Sequence, residues 1–181
     1  EGIDYNNGKN GTSQVRSYEL SKDVMFIDFY GKEITSLTVD DLEPGDCLRY
    51  GENNGVIETI QLTYDYSKSE LIYNDGTKSN RAYAGDAYDV SADGAYLTIA
   101  TGKRAWEIDE KAAEAANNLA SYWIRSNNMY TIVDKTGTKT VVKKGSNADI
   151  QTYKKAGKSC SRVILFSEWA STIYAVVVYI E

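Results

Sequence analysis

From Val24 to Tyr30, residues Val24, Phe26, Asp28 and Tyr30 fall on one parity and Met25, Ile27 and Phe29 on the other. Apolar side chains on both parities predict a strand covered on both faces. After ITSLTVDDL, Pro44-Gly45 marks a turn into the strand DCLRY. Asn53-Asn54-Gly55 then predicts a tight hairpin, because Asn and Gly tolerate the positive φ that such turns demand. On the return strand Ile57, Thr59, Gln61 and Thr63 oppose Glu58, Ile60, Leu62 and Tyr64. Residues 67–103 carry the same punctuation, with Asn74-Asp75-Gly76, then Asp86, then Asp93-Gly94.

One segment reads differently. Ala112, Ala115, Ala116, Leu119, Tyr122 and Trp123 follow helical spacing, with Asp109 as N-cap and Glu110 and Glu114 near the end that the helix dipole favours. An amphipathic helix is expected over 109–124, with a shorter helix running into a strand through Tyr122 and Ile124 as the alternative. In the last strand Val176, Val178 and Ile180 form the inward parity, which places Tyr174 and Tyr179 on opposite faces.

The order of parts in residues 129–181 repeats that of residues 24–65: strand, Gly turn, second strand, a short acidic-aliphatic pair, a connector and a closing hairpin. Gly31 answers Gly137, Leu42 of DDL answers Ile150 of ADI, and IETIQLTY answers IYAVVVY. The longer second connector, QTYKKAGKSCS, has room for a helical turn. The expected fold is mainly β with one or two short helices, in two small barrel-like or sheet-like subdomains. The expected organisation is a flexible leader over 1–16, an N-terminal β subdomain over 17–103 and a C-terminal α+β subdomain over 104–181.

Composition narrows the function. With 42% apolar and 25% charged residues, the 181-residue chain has the makings of a folded core. A net charge of −6 and the lack of a Lys/Arg cluster argue against nucleic acid as a partner. No apolar run approaches the ~20 residues that span a bilayer, so no membrane insertion is expected. The opening EGIDYNNGKNG lacks signal-peptide features, and Glu1 in place of Met suggests a processed or excised fragment.

The chain contains no His, which removes Ser-His-Asp and Cys-His catalysis. The carboxylate pairs Asp40/Asp41, Asp109/Glu110 and Glu107/Asp109 read as solvated or capping groups, and no catalytic residues are expected. Cys47 and Cys160 are too few for a zinc site without His. Cys47 reads as a small buried hydrophobe, while Cys160, in a Gly/Lys/Ser loop, is either exposed or paired with it. Neither YNDGTK nor SADGAY completes a calcium loop, so neither a metal nor a cofactor is expected.

The stretches DLEPGDCLRYGENNGVIETIQLTYD and NADIQTYKKAGKSCSRVILFSEWASTIYAVVVYIE resemble β modules found toward the C-terminal ends of large Firmicutes cell-surface proteins, including those that carry S-layer homology domains. The likeness covers roughly residues 17–66 and 95–181. It implies an extracellular, wall-associated location, attachment to other domains of a larger surface polypeptide, a spacer or presentation role and no cofactor. The alanine-rich segment 109–124 and Trp169 depart from that pattern.

The expected function is therefore a non-catalytic structural or spacer module of a bacterial surface protein. The alternative is an adhesion module that binds a cell-wall or host glycan or a protein through exposed aromatics. For that alternative Trp169, in the polar stretch SEWAST at the final hairpin, is the leading ligand contact. Trp106, in the alternating RAWEID, is second, and Trp123 is last because a helix face accounts for it.

Overall fold

The computed structural model describes residues 2–4, 14–28, 30–72, 79–111, 117–125, 128–169 and 172–181. The protein is mainly β. Strands β1 (Gly2–Asp4) and β2 (Gln14–Arg16) pair antiparallel. A small sheet contains β3 (Glu19–Phe26), β4 (Cys47–Asn53), β5 (Val56–Asp65) and β6 (Glu70–Leu71), in the order β3-β5-β4 with β6 also on β5. A larger sheet contains β7 (Ser79–Val90), β8 (Tyr96–Ala100), β9 (Leu119–Trp123), β10 (Met129–Asp134), β11 (Val141–Lys144), β12 (Arg162–Trp169) and β13 (Thr172–Ile180). Its order is β11-β10-β13-β12-β7-β8-β9. One parallel pair, Thr172 with Trp123, brings β9 back to the start of β13 without closing a barrel.

Turn chemistry acts where the sequence predicts it. Asn54 and Gly55 both take positive φ, 51° and 88°, between β4 and β5, which is the geometry a two-residue hairpin needs. Gly94 does the same between β7 and β8. The Asn74-Asp75-Gly76 turn lies outside the described residues.

The internal repeat is present in the strand pairing. In the small sheet β3 runs parallel to β5 and β4 antiparallel to it; in the large sheet β10 runs parallel to β13 and β12 antiparallel to it. Registers agree through the middle of the strands. Met25 and Phe26 oppose Thr59 and Ile60 as Met129 and Tyr130 oppose Ala175 and Val176. Tyr50 and Gly51 oppose Ile60 and Thr59 as Leu165 and Phe166 oppose Val176 and Ala175. One irregularity coincides, the register shift at Gly51/Glu52 and at Phe166/Ser167, while the shifts at Cys47/Leu48 and at Ser167/Trp169 have no counterpart. Each unit also has a 3-10 turn in the same place, Val39–Asp41 and Asn147–Asp149. Asp41 Oδ2 accepts hydrogen bonds from the Thr38 amide at 2.7 Å and hydroxyl at 2.8 Å, and Asp149 Oδ2 accepts the same pair from Ser146 at 2.7 and 3.0 Å. The acidic residue of DDL and ADI therefore ties down a turn, so that the aliphatic residue after it, Leu42 or Ile150, reaches its unit's core.

Strand β13 lies between β10 and β12, and both its faces are buried. Val176 and Val178 enter a core with Ile132, Ile150, Val163 and Leu165, while Val177 and Tyr179 enter a second core with Tyr64, Val133 and Ile164. The parity expected of Val176, Val178 and Ile180 holds. It breaks upstream, because the irregularity at Phe166/Ser167 turns Ile173 inward with Val176 and carries Tyr174 against the Phe166 ring, on the side of Tyr179. Tyr174 and Tyr179 are therefore not on opposite faces.

Three further expectations change. The helix expected over 109–124 does not reach Ile124: Leu119–Trp123 is strand β9, paired antiparallel with β8 from Tyr96–Trp123 to Ala100–Leu119. Residues 112–116 lie outside the described residues, and Asn117 and Asn118 are helical. Asp86 lies within β7 and is buried there, rather than punctuating a turn. Strand β3 is covered on one face only, with Met25 exposed. The large sheet takes β7 and β8 from before residue 103 and β9 to β13 from after it, so pairing is continuous across that position.

Candidate functional site

The three tryptophans occupy different settings. The Trp169 backbone pairs with Ser79 and Thr172 at the end of β12; its side chain lies outside the described part of the structure. Trp106 is not in an alternating strand but in the 3-10 turn Ala105–Glu107. The Arg104 carbonyl accepts the Glu107 amide at 3.0 Å, and Glu107 Oε2 accepts the Arg104 amide at 3.1 Å. That turn buries Ala105 and Ile108 and leaves Trp106 half-buried, with the Arg104 guanidinium 4.3 Å from its ring centre. Trp123, ranked last on a helical reading, is exposed on β9 directly opposite exposed Tyr96 of β8, with Arg125 over its ring at 4.2 Å. Beside them Thr98 and Ser121 share a hydrogen bond of 2.8 Å. The β-alternation of Trp123 and Ser121 was present in the sequence, but the alanine run before it outweighed that signal.

Beside Trp106 an open depression is lined by Gly85, Gly102, Lys103, Arg104, Glu107 and Arg162. Gly85 is required for close strand packing, since a Cβ there would stand 2.1 Å from the Ala100 carbonyl oxygen. The next residue, Asp86, is buried, and its Oδ2 accepts Arg104 Nε at 2.8 Å and the Ala105 amide at 2.9 Å. Its Oδ1 lies 3.7 Å from Arg162 Nη1. Arg162 continues outward, donating from Nε to the Tyr64 hydroxyl at 3.2 Å and from Nη2 to the Ser69 carbonyl at 3.3 Å. A buried carboxylate held between two guanidiniums is neutralised in place. Here it also connects the large sheet to β5 and the turn after it.

A second junction is built from tyrosines. Tyr179, buried at the end of β13, donates its hydroxyl to the Gly45 carbonyl at 2.8 Å, and the Cys47 sulfur lies 3.5 Å from the Tyr179 hydroxyl oxygen. Its ring stacks on Tyr66 at 4.9 Å and tilts against Tyr64 at 5.6 Å. Tyr66 carries Lys135 over its ring and donates to Glu181 Oε1 at 2.8 Å. Asp46 of the L-x-P-G-D stretch holds this corner, accepting the Glu43 amide on Oδ2 and the Tyr66 amide on Oδ1, each at 2.8 Å. Pro44-Gly45-Asp46 is thus the corner by which the small sheet grips the large one.

Other acidic residues named from the sequence also stabilise local structure. Asp109 Oδ1 accepts the Lys111 amide, and Glu110 accepts the Tyr88 hydroxyl and pairs with Lys154. Asp93 closes its turn by accepting the Ser91 hydroxyl and the Ala95 amide. Among the described residues no group of three or more acidic or Cys side chains is placed to hold a metal ion, and no helix is long and apolar enough to cross a membrane.

Cys47 and Cys160 are both free thiols and belong to different apolar clusters. Burial pushes the Cys47 thiol up to about 12, against the Tyr179 hydroxyl, which opposes the rise. Burial, then the charge of Asp86, also raises Cys160. Since only the thiolate attacks alkylating reagents, both are expected to react slowly with iodoacetamide at neutral pH in the native chain and rapidly in denaturant. Fast native labelling of Cys47, followed by mass spectrometry, would contradict its placement in the junction.

No family model, no curated protein and no solved structure matches this chain.

Proposed function

We propose that the chain is a non-catalytic structural or spacer module of a bacterial cell-surface protein, outside the cell and joined to other domains of a larger polypeptide. The observation that carries this reading is the double tie between the two repeat units. Tyr179 reaches across to Gly45 and Cys47, and Arg162 reaches from Asp86 to Tyr64 and Ser69. Units joined only by a flexible linker move independently. Buried polar ties on top of an apolar contact suppress that motion, which suits a part that transmits position or load. The acidic composition and the likeness of the L-x-x-G-D-x-x-R-Y hairpin to surface-protein modules support the same setting.

Pulling a single chain from its two ends is expected to give one unfolding event that releases both units together. Two events well separated in force, the first releasing only residues 17–72, would sink the spacer reading.

A second reading, adhesion to a glycan or a protein, is favoured by one feature, the exposed cross-strand pair Tyr96 and Trp123 with the Thr98 and Ser121 hydroxyls beside it. Aromatic faces flanked by hydroxyls suit sugar rings. Under this reading, adding cell-wall polysaccharide shifts the tryptophan emission of the parent chain, and Trp123→Ala abolishes the shift while keeping the thermal melt. An unchanged emission over a panel of wall polysaccharides and host matrix proteins would remove it.

A further inference from the structure

In a chain of net charge −6, the stretch from Ile150 to Ser167 carries Lys154, Lys155, Lys158 and Arg162 and no acidic residue. The fold brings part of that stretch to a second cationic pair, Lys103 and Arg104. Arg162 of β12 lines the open depression beside Trp106 together with Lys103 and Arg104, and the small residues Gly85, Ala100 and Gly102 leave it room. Lys158, in the 3-10 turn Gly157–Ser159, holds its Nζ 5.8 Å from the centre of the Trp106 ring. Spread out along the sequence, these cations form a cluster only in the fold.

Arg104 is held in one pose. Its Nε donates to buried Asp86 at 2.8 Å, and its guanidinium lies 4.3 Å from the centre of the Trp106 ring. Among the described residues its side chain makes no other hydrogen bond, so the two Nη groups of a side chain that is 45% exposed are left over. Arg162 is oriented by the same carboxylate, with Nη1 3.7 Å from Asp86 Oδ1. Two acidic residues face these cations, and both are engaged: Asp86 lies between the guanidiniums, and Glu107 Oε2 accepts the Arg104 amide. Among the described residues no carboxylate pairs with Lys158. A local excess of positive charge around an ordered guanidinium suits an oxyanion, because the planar fork meets two oxygens of a carboxylate or phosphate side by side and is already in place before the ligand arrives.

We propose that this depression binds the oxyanion, carboxylate or phosphate, of an acidic glycan, with the Nη groups of Arg104 as the fork and Arg162 and Lys158 supplying charge around it. The occupant follows from the limits of the cluster. It is small and the rest of the chain is acidic. Duplex DNA, with a charge every ~1.7 Å, would lay most of its phosphates against a surface that repels them. A glycan whose charges are spaced by whole sugar units sets one oxyanion in the depression and meets the surroundings with hydroxyls. The site lies at the opposite end of β8 from Tyr96 and needs neither the Tyr96–Trp123 pair nor the spacer reading.

The test uses fluorescein-labelled oligogalacturonate and reads its anisotropy at about 0.01 M salt, where the Debye length is about 30 Å. The parent chain is expected to bind it saturably, with competition from poly(glycerol phosphate) and none from the fully methyl-esterified oligomer. Arg104→Lys keeps the charge beside Asp86 but lacks the fork, and Lys158→Glu reverses a charge on an exposed side chain that carries no hydrogen bond among the described residues. Each is expected to weaken binding by about tenfold or more, and Lys158→Glu to do so with the parent thermal melt. Trp123→Ala is expected to bind as the parent does. Absence of saturable binding by the parent overturns the proposal, as does an affinity that Lys158→Glu or a folded Arg104→Lys does not lower. Loss of binding in Trp123→Ala moves the site to the sheet pair and overturns it too, and tighter binding of a single-stranded DNA of the same charge overturns the choice of a glycan.

Discussion

Val178→Asp is expected to unfold the C-terminal unit. Val178 is fully buried in β13, opposite Ile132 on one side and Val163 on the other, both of them core residues. An aspartate there has no cationic partner in the cluster that surrounds it and must either lose its charge or break the packing. The cost is about 4 kcal/mol or more, comparable with the whole stability of a small domain. Circular dichroism should show loss of the cooperative melt. A wild-type melting temperature would show that the inward parity of β13 is inverted. Val141 on the edge strand β11 is exposed, and Val141→Thr is expected to stay within about 0.5 kcal/mol of the parent.

Tyr179→Ala is expected to have the next largest effect, and of a different kind. Truncation removes the ring that packs on Tyr64 and Tyr66 and leaves a cavity in the cluster formed with Val133, Ile164 and Val177, a loss of about 3–5 kcal/mol by the usual cost of deleting a buried aromatic. That cluster draws on both sheets, so calorimetry should resolve two transitions where the parent gives one. Tyr179→Phe keeps the ring but takes the hydrogen bond from the Gly45 carbonyl, and about 1–2 kcal/mol should be lost with the single transition kept. If Tyr179→Ala melts like the parent, the junction does not couple the units.

The tyrosine corner shows how far the sequence could be read. Pro44-Gly45-Asp46 is legible as a turn, and its place in a repeated order of parts is legible too, because Asp41 and Asp149 cap their turns through contacts only three residues away. Nothing in the spacing indicates that Asp46 also holds the amide of Tyr66, or that Tyr179 arrives at Gly45, since those contacts join residues 20 and 134 positions apart. The same holds for Asp86. An aspartate between Gly85 and Ala87 reads as punctuation until Arg104 and Arg162 are brought to it from two other elements.

Segment 109–124 and strand β13 mark the boundary between the two kinds of information. The sequence by itself determined the mainly β class, the hairpin turns at Asn54-Gly55 and Asp93-Gly94, the order of parts in the two repeat units and the inward parity of Val176 and Val178. Each of these depends on backbone preferences and alternation within a few residues. The tertiary structure decided between a helix through 124 and the alternative of a shorter helix running into a strand, in favour of the strand Leu119–Trp123; it alone decided that an irregular register moves Tyr174 to the side of Tyr179, and that equivalent apolar positions are buried in one unit and exposed in the other. The physical reason is that pairing with β8 outweighs the weak helical preference of a short segment. In the same way, whether a Met or a Leu is covered depends on which strand lies next to it, and not on the residue itself.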